Sequence, residues 1–516
     1  MNSKLIPCLI LIVGLASCTK KFQDINTDPT RLTELSNDDI RGLFTSAEYH
    51  AMYSGDGSAE YQYAQGFFAD LYAQYSAITA TFDPTDRYNI AQEWVQEQWI
   101  GTYARALPRI YAILENTTDP GKEGLNAIAR IWRVWTIHRA TDYYGPIPYS
   151  QIGVDSTVVP YDLQKDIYYD LFKELAEATD VLRQNVDQVT YQEADKIFGE
   201  AGDEQNSKWI KFANTLRLRL AMRISYVEPE KAKQEAEAAV AGGVMEGLGD
   251  DAYLQVSAVN YNGFNRQSGW NEFRMSQAME SVLKGYEDPR LSKFWSPAVN
   301  TGEYKGVRNG MNVAEIVSPE NEPDNTSGPS APLLPEAMGV TPSTVMYAAE
   351  AYFLRAEGVL NGWNMGGGTA EEYYNKGIEM SLGTWGISNP TVVNNYINSS
   401  KTPMAPGGMF NTPALSDIPV KFASDPEKQR EQILTQKWVA LFPEGHEAWA
   451  EFRRTGYPKL YPLIHSDNSD LPVGNFIRRI PFLNYEKDRN GAAVEAAKSL
   501  LDGPDNAATR LWWDVR

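Results

Sequence analysis

Cysteine and histidine are both scarce in this chain of 516 residues, which has two cysteines and four histidines. Cys8 and Cys18 both lie near the start of the chain, so the sequence predicts no disulfide within the body of the protein. Widely spaced histidines do not build a histidine-rich metal site. The pair His446-Glu447 begins like a helical zinc-protease motif, but Ala450 stands where the second histidine belongs. We therefore predict no metal.

Sequence motifs of common enzymes are also missing. The chain has neither a phosphate-binding Walker loop nor a G-x-S-x-G nucleophile motif. The segment 247–252 imitates a dinucleotide fingerprint, but it follows a helical pattern and not a strand. We predict no cofactor and no catalysis. A helical glycosidase or lyase stays as an alternative, because the separation of a carboxylate pair among 67 acidic residues is a three-dimensional quantity.

Positive charge is in deficit. Lys and Arg number 47 against 67 Asp and Glu, which gives a formal net charge of −20. Such a protein repels phosphate backbones and anionic lipids, so we predict no nucleic-acid partner.

Long apolar runs are absent except at the N-terminus, where about a dozen mostly apolar residues follow Lys4. This run is too short to span a membrane as a helix and is typical of a secretory signal peptide. Leu15-Ala16-Ser17-Cys18 resembles a bacterial lipobox, in which the cysteine is lipidated. We predict a signal peptide over 1–17, lipidation at Cys18 and a tether over 18–33. One domain over 34–516 follows.

Helical periodicity dominates the rest of the chain, and the fold class that it predicts is mostly α. The predicted helices lie near 38–53, 60–79, 90–115, 126–144, 162–184, 209–224, 229–241, 273–285, 345–359, 369–381, 427–441 and 446–454. Small residues recur inside these helices and favour close helix pairs of the tetratricopeptide kind. Large irregular insertions are predicted near 242–272, 295–342 and 383–426.

Several strings, in order along the chain, resemble one known family. They lie at 22–29, 141–149, 287–291, 302–306, 349–357, 436–442, 448–458, 478–482 and 511–514. Among them are the helix exit Asp142-Tyr143-Tyr144-Gly145-Pro146 and the run Glu451-Phe452-Arg453-Arg454-Thr455. The sequence is similar to the SusD/RagB-like nutrient-binding lipoproteins of Bacteroidetes.

This resemblance implies a scaffold of tetratricopeptide-like helix pairs without catalysis. It implies an oligosaccharide as ligand and a TonB-dependent, SusC-like outer-membrane transporter as partner. It further implies a lipid anchor in the outer membrane, with the protein facing the cell exterior. The same lid architecture serving peptides or another nutrient is the alternative.

Aromatic residues supply the candidate ligand contacts, since sugars stack on flat rings while planar polar groups read their hydroxyls. The irregular segment 260–271 combines both kinds of side chain. Its candidate residues are Tyr261, Phe264, Arg266, Trp270 and Asn271.

Two further groups of aromatic residues are weaker candidates. Tyr72 and Tyr75 share one face of a predicted helix, while Trp295 and Tyr304 flank the second irregular insertion. For all of these rings, packing in the core is the competing interpretation.

Overall fold

The structure is a computed structural model that describes residues 35–55, 60–153 and 158–516. The signal peptide over 1–17, Cys18 and the tether over 18–33 lie outside the described residues and stay predictions. The described chain is mostly helical, as the periodicity predicted.

The helices succeed one another along the chain with short strands between them. The α-helices are α1 Asn37–Ala51, α2 Gln92–Trp99, α3 Leu107–Glu115, α4 Glu123–Tyr144, α5 Gln164–Gln184, α6 Gln205–Arg223, α7 Pro229–Ala241, α8 Gly263–Ser268, α9 Gln277–Gly285, α10 Leu291–Phe294, α11 Val313–Ile316, α12 Ala348–Leu360, α13 Ala370–Thr384, α14 Pro390–Ile397, α15 Pro426–Leu441, α16 Gly445–Thr455 and α17 Asn484–Ala497. Two π-helices cover Gln62–Asp70 and Ile100–Ala106.

The strands are short and pair in twos. They are β1 Ser76–Ile78, β2 Ile147–Pro148, β3 Tyr161–Asp162, β4 Ala252–Leu254, β5 Phe273–Met275 and β6 Ser343–Met346. The antiparallel pairs are β1 with β5, β2 with β3 and β4 with β6. The β1–β5 pair joins two segments that are almost two hundred residues apart in the sequence.

Three predicted helices are too long because the chain turns into a strand within them. The helix predicted over 60–79 ends near Gln74, whose φ of +53° stops helical propagation, and β1 follows. The helix predicted over 273–285 begins as β5, and the one over 345–359 begins within β6. Apolar periodicity cannot separate a short buried strand from an adjoining helix.

Consecutive helices pack in pairs around one large core, which confirms the tetratricopeptide-like scaffold. α4 packs on α5, α6 on α7 and α12 on α13, and further contacts join α5 to α6 and α12 to α15. α4 lies at the centre, where Trp132 and Trp135 are fully buried and stack with interplanar angle 12°. Among the described residues, no helix has both the length and the apolar character needed to cross a bilayer.

A network of buried ion pairs joins α6, α12, α15 and α16 inside this core. Its members are Arg219, Arg223, Glu350, Glu357, Lys437, Glu447, Glu451 and Arg454, whose side chains are all at most 5% exposed. Four cations thus face four carboxylates, and Arg223 also faces the buried Asp142 of α4 at 3.6 Å. The Arg219 guanidinium donates to both oxygens of Glu350, at 2.9 and 2.6 Å. Such bidentate pairs compensate for the hydration that the charged groups lose on burial.

The carboxylates of the network differ in their ionisation. Burial outweighs the surrounding cations at Glu447 and raises its pKa to about 6, whereas the opposite holds at Glu451. Burial alone disfavours a charged carboxylate, but Arg454, Lys437 and Arg223 outweigh this and hold the pKa of Glu451 well below its usual value. The carboxylate is therefore charged at neutral pH, and each helix of the network depends on the charges that the others supply.

Removing one cation from this network should be strongly destabilising. Arg454 donates to Glu357 and Glu451, so Arg454→Met leaves two buried carboxylates short of a partner. We expect a loss of about 3–5 kcal/mol in urea unfolding. The control Lys376→Met breaks the exposed pair with Glu379 and should cost less than about 1 kcal/mol. Equal effects of the two substitutions would contradict this account.

Candidate functional site

The short helix α8 organises the irregular segment that the sequence singled out. Asn262 caps its N-terminus by accepting hydrogen bonds from the backbone N–H groups of Phe264 and Asn265. The Asn262 side chain also donates to the backbone oxygens of Thr341 and Pro342, at 3.2 and 3.1 Å. One asparagine therefore both starts the helix and fastens it to the segment before β6.

Further contacts fix α8 on both of its sides. On one side, the Asn265 amide donates to the backbone oxygens of Pro332 and Leu334, at 2.9 and 3.0 Å. On the other side, Gly263 lies so close to Tyr61 that a Cβ atom added to this glycine would stand 2.2 Å from the Tyr61 Cβ. α8 is thereby positioned before any ligand arrives.

α8 presents Arg266 and Trp270 at its C-terminal end. The Trp270 backbone N–H donates to the Gln267 oxygen at 3.1 Å, and the indole ring is half-buried. The Arg266 guanidinium carbon lies 5.4 Å from the centre of the Trp270 ring, within cation–π range. Trp270 is not among the aromatic rings that pack against the main core. Its orientation is set by Arg266 and by its own backbone.

Polar groups follow directly after Trp270. Asn271 is exposed and takes a left-handed conformation with φ +61°. The Gln62 side chain donates to Glu272 at 3.1 Å, and the Thr79 backbone N–H donates to the Glu272 backbone oxygen at 2.9 Å. The segment before α2 therefore meets the chain that follows α8. Phe82 lies three residues after Thr79 in this segment and is 63% exposed.

A ladder of stacked rings leads from the core to this surface. Tyr63 and Trp94 stack with ring centres 5.4 Å apart and an interplanar angle of 14°. Trp94 stacks on Phe67 at 4.9 Å, and Phe67 on Phe273 at 5.4 Å. Phe67 and Phe273 are buried, whereas Tyr63 and Trp94 are half-buried. Gln62 connects the ladder to Glu272 and so to the Trp270 segment.

The sequence reasoning missed Tyr63, Trp94 and Phe82. Tyr63 and Trp94 stand in helical segments where a core position is the default interpretation. Only tertiary contacts connect Tyr63 to Glu272, through its neighbour Gln62, and Trp94 to Phe273, through Phe67. The one available signal was the density of aromatic residues in 60–99. We group Tyr63, Phe82, Trp94, Arg266 and Trp270 under the name aromatic surface, because Gln62 and Thr79 join their segments to Glu272. Tyr63 and Trp94 also pack against the main core.

The remaining predicted site residues separate into two groups. Tyr261 and Tyr304 are half-buried. The Tyr261 backbone oxygen accepts from Ser54 just before α8, whereas the Tyr304 backbone oxygen accepts from Lys284 at the end of α9. Tyr261 closely precedes α8 in the chain. The contact of Tyr304 is instead with the end of α9.

The other four aromatic candidates belong to the core and offer no face to a ligand. They are Tyr72, Tyr75, Phe264 and Trp295, each at most 4% exposed. The Tyr75 hydroxyl donates to the Trp438 backbone oxygen at 2.6 Å. The physical reason is the same for all four: large rings are buried where two elements meet, and these rings contact Trp438, Trp449 or Phe442. Our sequence-based assignment of these rings to a ligand site does not fit this placement.

Two cavities lie elsewhere on the described part of the chain. The larger one, of about 1340 Å³, is lined mainly by the polar residues of 186–206. The smaller one, of about 390 Å³, lies where α3, α4 and α5 meet. Neither is lined by Trp270. The larger cavity has Tyr191 as its single aromatic lining residue, and that ring is buried. It therefore lacks the flat apolar faces that sugar rings require.

Buried acidic groups lie close in sequence to Tyr63 and Phe82 of the aromatic surface. Burial raises the pKa of Asp70 to about 7, and the hydrogen bonds that it accepts from Gln65 and Tyr61 only partly oppose this. Burial likewise raises the pKa of Asp83 to about 6 and that of Asp86 to about 7. Asp70 accepts a hydrogen bond from the Tyr61 hydroxyl, and the Tyr61 side chain packs against Gly263 of α8.

Carboxylates and histidines are not gathered in a way that suits a metal. In the ranges that the structure describes, no group of three or more His, Cys, Asp or Glu side chains is arranged to hold an ion. The fold and the surface define a tetratricopeptide-like helical protein, with an aromatic surface where the irregular segment 260–271 meets the N-terminal helical segments.

Comparison with known families agrees with this class. The family model described as SusD-like, for SusD and RagB outer membrane lipoproteins, matches residues 24–514. The chain therefore belongs to the SusD-like family of outer membrane lipoproteins, as its sequence strings predicted.

Solved structures give the same result over nearly the whole chain. A chitin-binding SusD homologue from Flavobacterium johnsoniae is 36% identical, with TM-score 0.84, over 92% of this chain and 99% of its own. A SusD-like protein from Bacteroides thetaiotaomicron is 34% identical, with TM-score 0.83 and the same coverage. A further chitin-binding protein is 29% identical, with TM-score 0.77, over 92% and 100%. No curated protein sequence matches the chain.

A larger side chain at Gly263 should show how closely α8 packs against Tyr61. Gly263→Ala forces the new Cβ against Tyr61 and should cost about 1–3 kcal/mol of stability, because neither backbone can yield cheaply. Gly42→Ala in α1 is the matched control, since its Cβ would meet no atom within 4 Å. We expect this control to stabilise by about 0.5–1 kcal/mol in thermal unfolding. A G263A protein as stable as the wild type would refute the tight seating of α8.

The raised pKa of Asp70 predicts a pH-dependent stability. A carboxyl with pKa 3.8 when unfolded and about 7 when folded favours the folded state only while it is protonated. Its stabilising effect is therefore full below about pH 4 and is lost as pH rises to about 7. Relative to the wild type, Asp70→Asn should gain about 2–3 kcal/mol between pH 5 and pH 8 in urea unfolding.

An exposed carboxylate provides the control for this experiment. Asp180 pairs with Arg183 on the surface of α5, with 69% of its side chain exposed. Asp180→Asn should show the same pH profile as the wild type. If D70N also follows the wild-type profile, Asp70 is ionised in the folded protein and its assignment as a neutral group is wrong.

Proposed function

We propose that this protein binds an oligosaccharide at the aromatic surface without altering it. The carrying observation is Trp270, which is half-buried, lies under Arg266 and is placed by a helix that is fastened on both sides. A pyranose ring needs a flat apolar face and a rim of planar hydrogen-bonding groups. Trp270, Trp94 and Tyr63 supply the faces, and Asn271 and Arg266 supply the rim.

Chitin-type oligosaccharides are our first choice of ligand. Two similar proteins are described as chitin-binding, at 36% and 29% identity over nearly the whole chain. Each N-acetylglucosamine unit presents an apolar ring face and an acetamido group that both donates and accepts hydrogen bonds. The amide of Asn271 and the guanidinium of Arg266 have the matching chemistry.

The cellular role that we propose follows from the family. The protein would be lipidated at Cys18, anchored in the outer membrane with its body facing the cell exterior, and would pass its oligosaccharide to a TonB-dependent SusC-like transporter. Membership of a family of outer membrane lipoproteins supports the anchor. A preformed aromatic surface supports capture, because little conformational entropy is lost when a ligand binds to groups that are already in place.

Titration calorimetry with chitohexaose tests the proposal. Trp270→Ala should weaken binding at least about tenfold, because a stacked tryptophan is a dominant contact in such sites. It should leave the melting temperature nearly unchanged, because Trp270 does not pack against the main core. Trp363→Ala is the matched control: this tryptophan is half-buried after α12, far along the chain from α8, and should leave the affinity unchanged.

The other outcomes distinguish the alternatives. Binding of peptides with no binding of chitohexaose, cellohexaose or maltohexaose would replace the glycan by a peptide ligand. Shortened products after prolonged incubation with chitohexaose would make the protein an enzyme. Chitohexaose binding that W270A leaves intact would move the ligand away from the aromatic surface.

A further inference from the structure

The smaller cavity, formed where α3, α4 and α5 meet, is distinct from the aromatic surface. Its volume of about 390 Å³ falls within the range of small-molecule pockets. Tyr111 lines this cavity, and Trp94 belongs to the aromatic surface. Seventeen residues separate Trp94 from Tyr111 on the continuous helical run from α2 to α3, which places them roughly 25 Å apart. One sugar unit cannot contact both places.

Arg133 forms the centre of this cavity and lies between two tyrosine rings. Its guanidinium carbon is 5.9 Å from the ring centre of Tyr111 and 5.9 Å from that of Tyr149. One of its terminal nitrogens pairs with Glu174 at 2.8 Å. Its Nε is buried and has no hydrogen-bond partner among the described residues. The guanidinium is thus held in place while a donor remains unused.

Carboxylates line the same cavity and are held in fixed positions. Asp162 accepts from the backbone N–H groups of Tyr149 and Ser150, at 3.1 and 2.8 Å, and from the Ser150 hydroxyl at 2.7 Å. Asp170 accepts from the Tyr149 hydroxyl at 2.5 Å. Asp166 lines the cavity as well and is exposed. These acceptors are oriented by the protein itself.

The charge of the lining selects the chemistry of a ligand. Three aspartates against one arginine leave an excess of negative charge, which repels phosphates, sulfates and uronic acids. A ligand with several hydroxyl groups suits the lining, because each hydroxyl can donate to an aspartate and accept from a guanidinium. The half-buried ring of Tyr111 adds a flat apolar face, whereas Tyr149 is buried and holds Asp170 in position.

We infer that this cavity is a second saccharide site, which takes one or two neutral or amino-sugar units independently of the aromatic surface. It goes beyond the proposed function, since it uses none of the residues of the aromatic surface. A second site of this size would hold a short fragment or one end of a branched glycan while the longer chain occupies the aromatic surface.

Saturation-transfer NMR on the Trp270→Ala protein tests this inference, because that substitution disables the aromatic surface. The probes are N-acetylglucosamine, glucosamine, glucose and glucuronic acid. We expect saturation transfer to at least one of the first three probes and none to glucuronic acid. Adding Tyr111→Ala or Arg133→Met should weaken binding of the positive probe about tenfold, since each removes one wall or the central donor.

A matched tyrosine controls for unspecific effects. Tyr485 is half-buried and has the guanidinium of Arg489 over its ring at 3.7 Å, but it lines neither described cavity. Tyr485→Ala in the same background should leave probe binding unchanged. Arg133→Met could reduce the melting temperature, because Glu174 loses a partner. In that case the result for Tyr111→Ala, a substitution of a half-buried residue, decides the test.

Three results would overturn the inference. These are the absence of saturation transfer to all three neutral or amino-sugar probes, unchanged binding in the Tyr111→Ala protein, and transfer to glucuronic acid as strong as to the positive probe. The proposed function fails by a different observation, namely chitohexaose affinity that is unaffected by Trp270→Ala alone. The two conclusions can therefore be rejected separately.

Discussion

Charge neutralisation inside the helical body is the constraint on which the rest of the structure depends. Arg219 and Arg223 on α6 meet carboxylates from α12 and α16, and Lys437 on α15 completes the set. None of these groups tolerates burial alone, because the cost of removing a single charge from water is several kcal/mol. The helices must therefore assemble in one register in which every charge has its partner. This requirement gives a chain without a predicted disulfide a specific and rigid interior.

Rigidity of the body makes an irregular insertion useful. α8 has six residues and could not persist as an isolated helix. It persists because Asn262 caps it, because Asn265 fastens it to 332–334, and because Gly263 allows Tyr61 to approach. The contacts of α8 with the scaffold therefore determine the position of Trp270. A surface that is organised in advance can bind with few contacts, since little conformational entropy is lost on binding.

The acidic character of the chain acts differently in the interior and at the surface. In the ion network each carboxylate has a cation. These cations lower the pKa of Glu451, whereas burial still raises the pKa of Glu447 to about 6. Near the aromatic surface, Asp70 and Asp86 lack such compensation, and burial raises their pKa to about 7. The cavity at Arg133 is lined by three aspartates and one arginine, which is the basis of our inference that it takes neutral or amino-sugar ligands. Acidic residues therefore have different effects according to their neighbours: they stabilise the helix packing, make the stability depend on pH, or line a cavity.

The sequence by itself determined the helical class, most helix positions and the family, because periodicity, breakers and short strings are local properties. It also singled out the segment that ends at Trp270, whose role in binding stays a proposal. It could not place Tyr72, Tyr75 and Trp295, which are as aromatic as Trp270 but lie in the core. It also missed Trp94 and the cavity at Arg133. Whether a ring or a charge is buried or presented to a ligand depends on which distant segment packs against it. Only the tertiary structure decides that, since β1 meets β5, and Gln62 meets Glu272, across about two hundred residues.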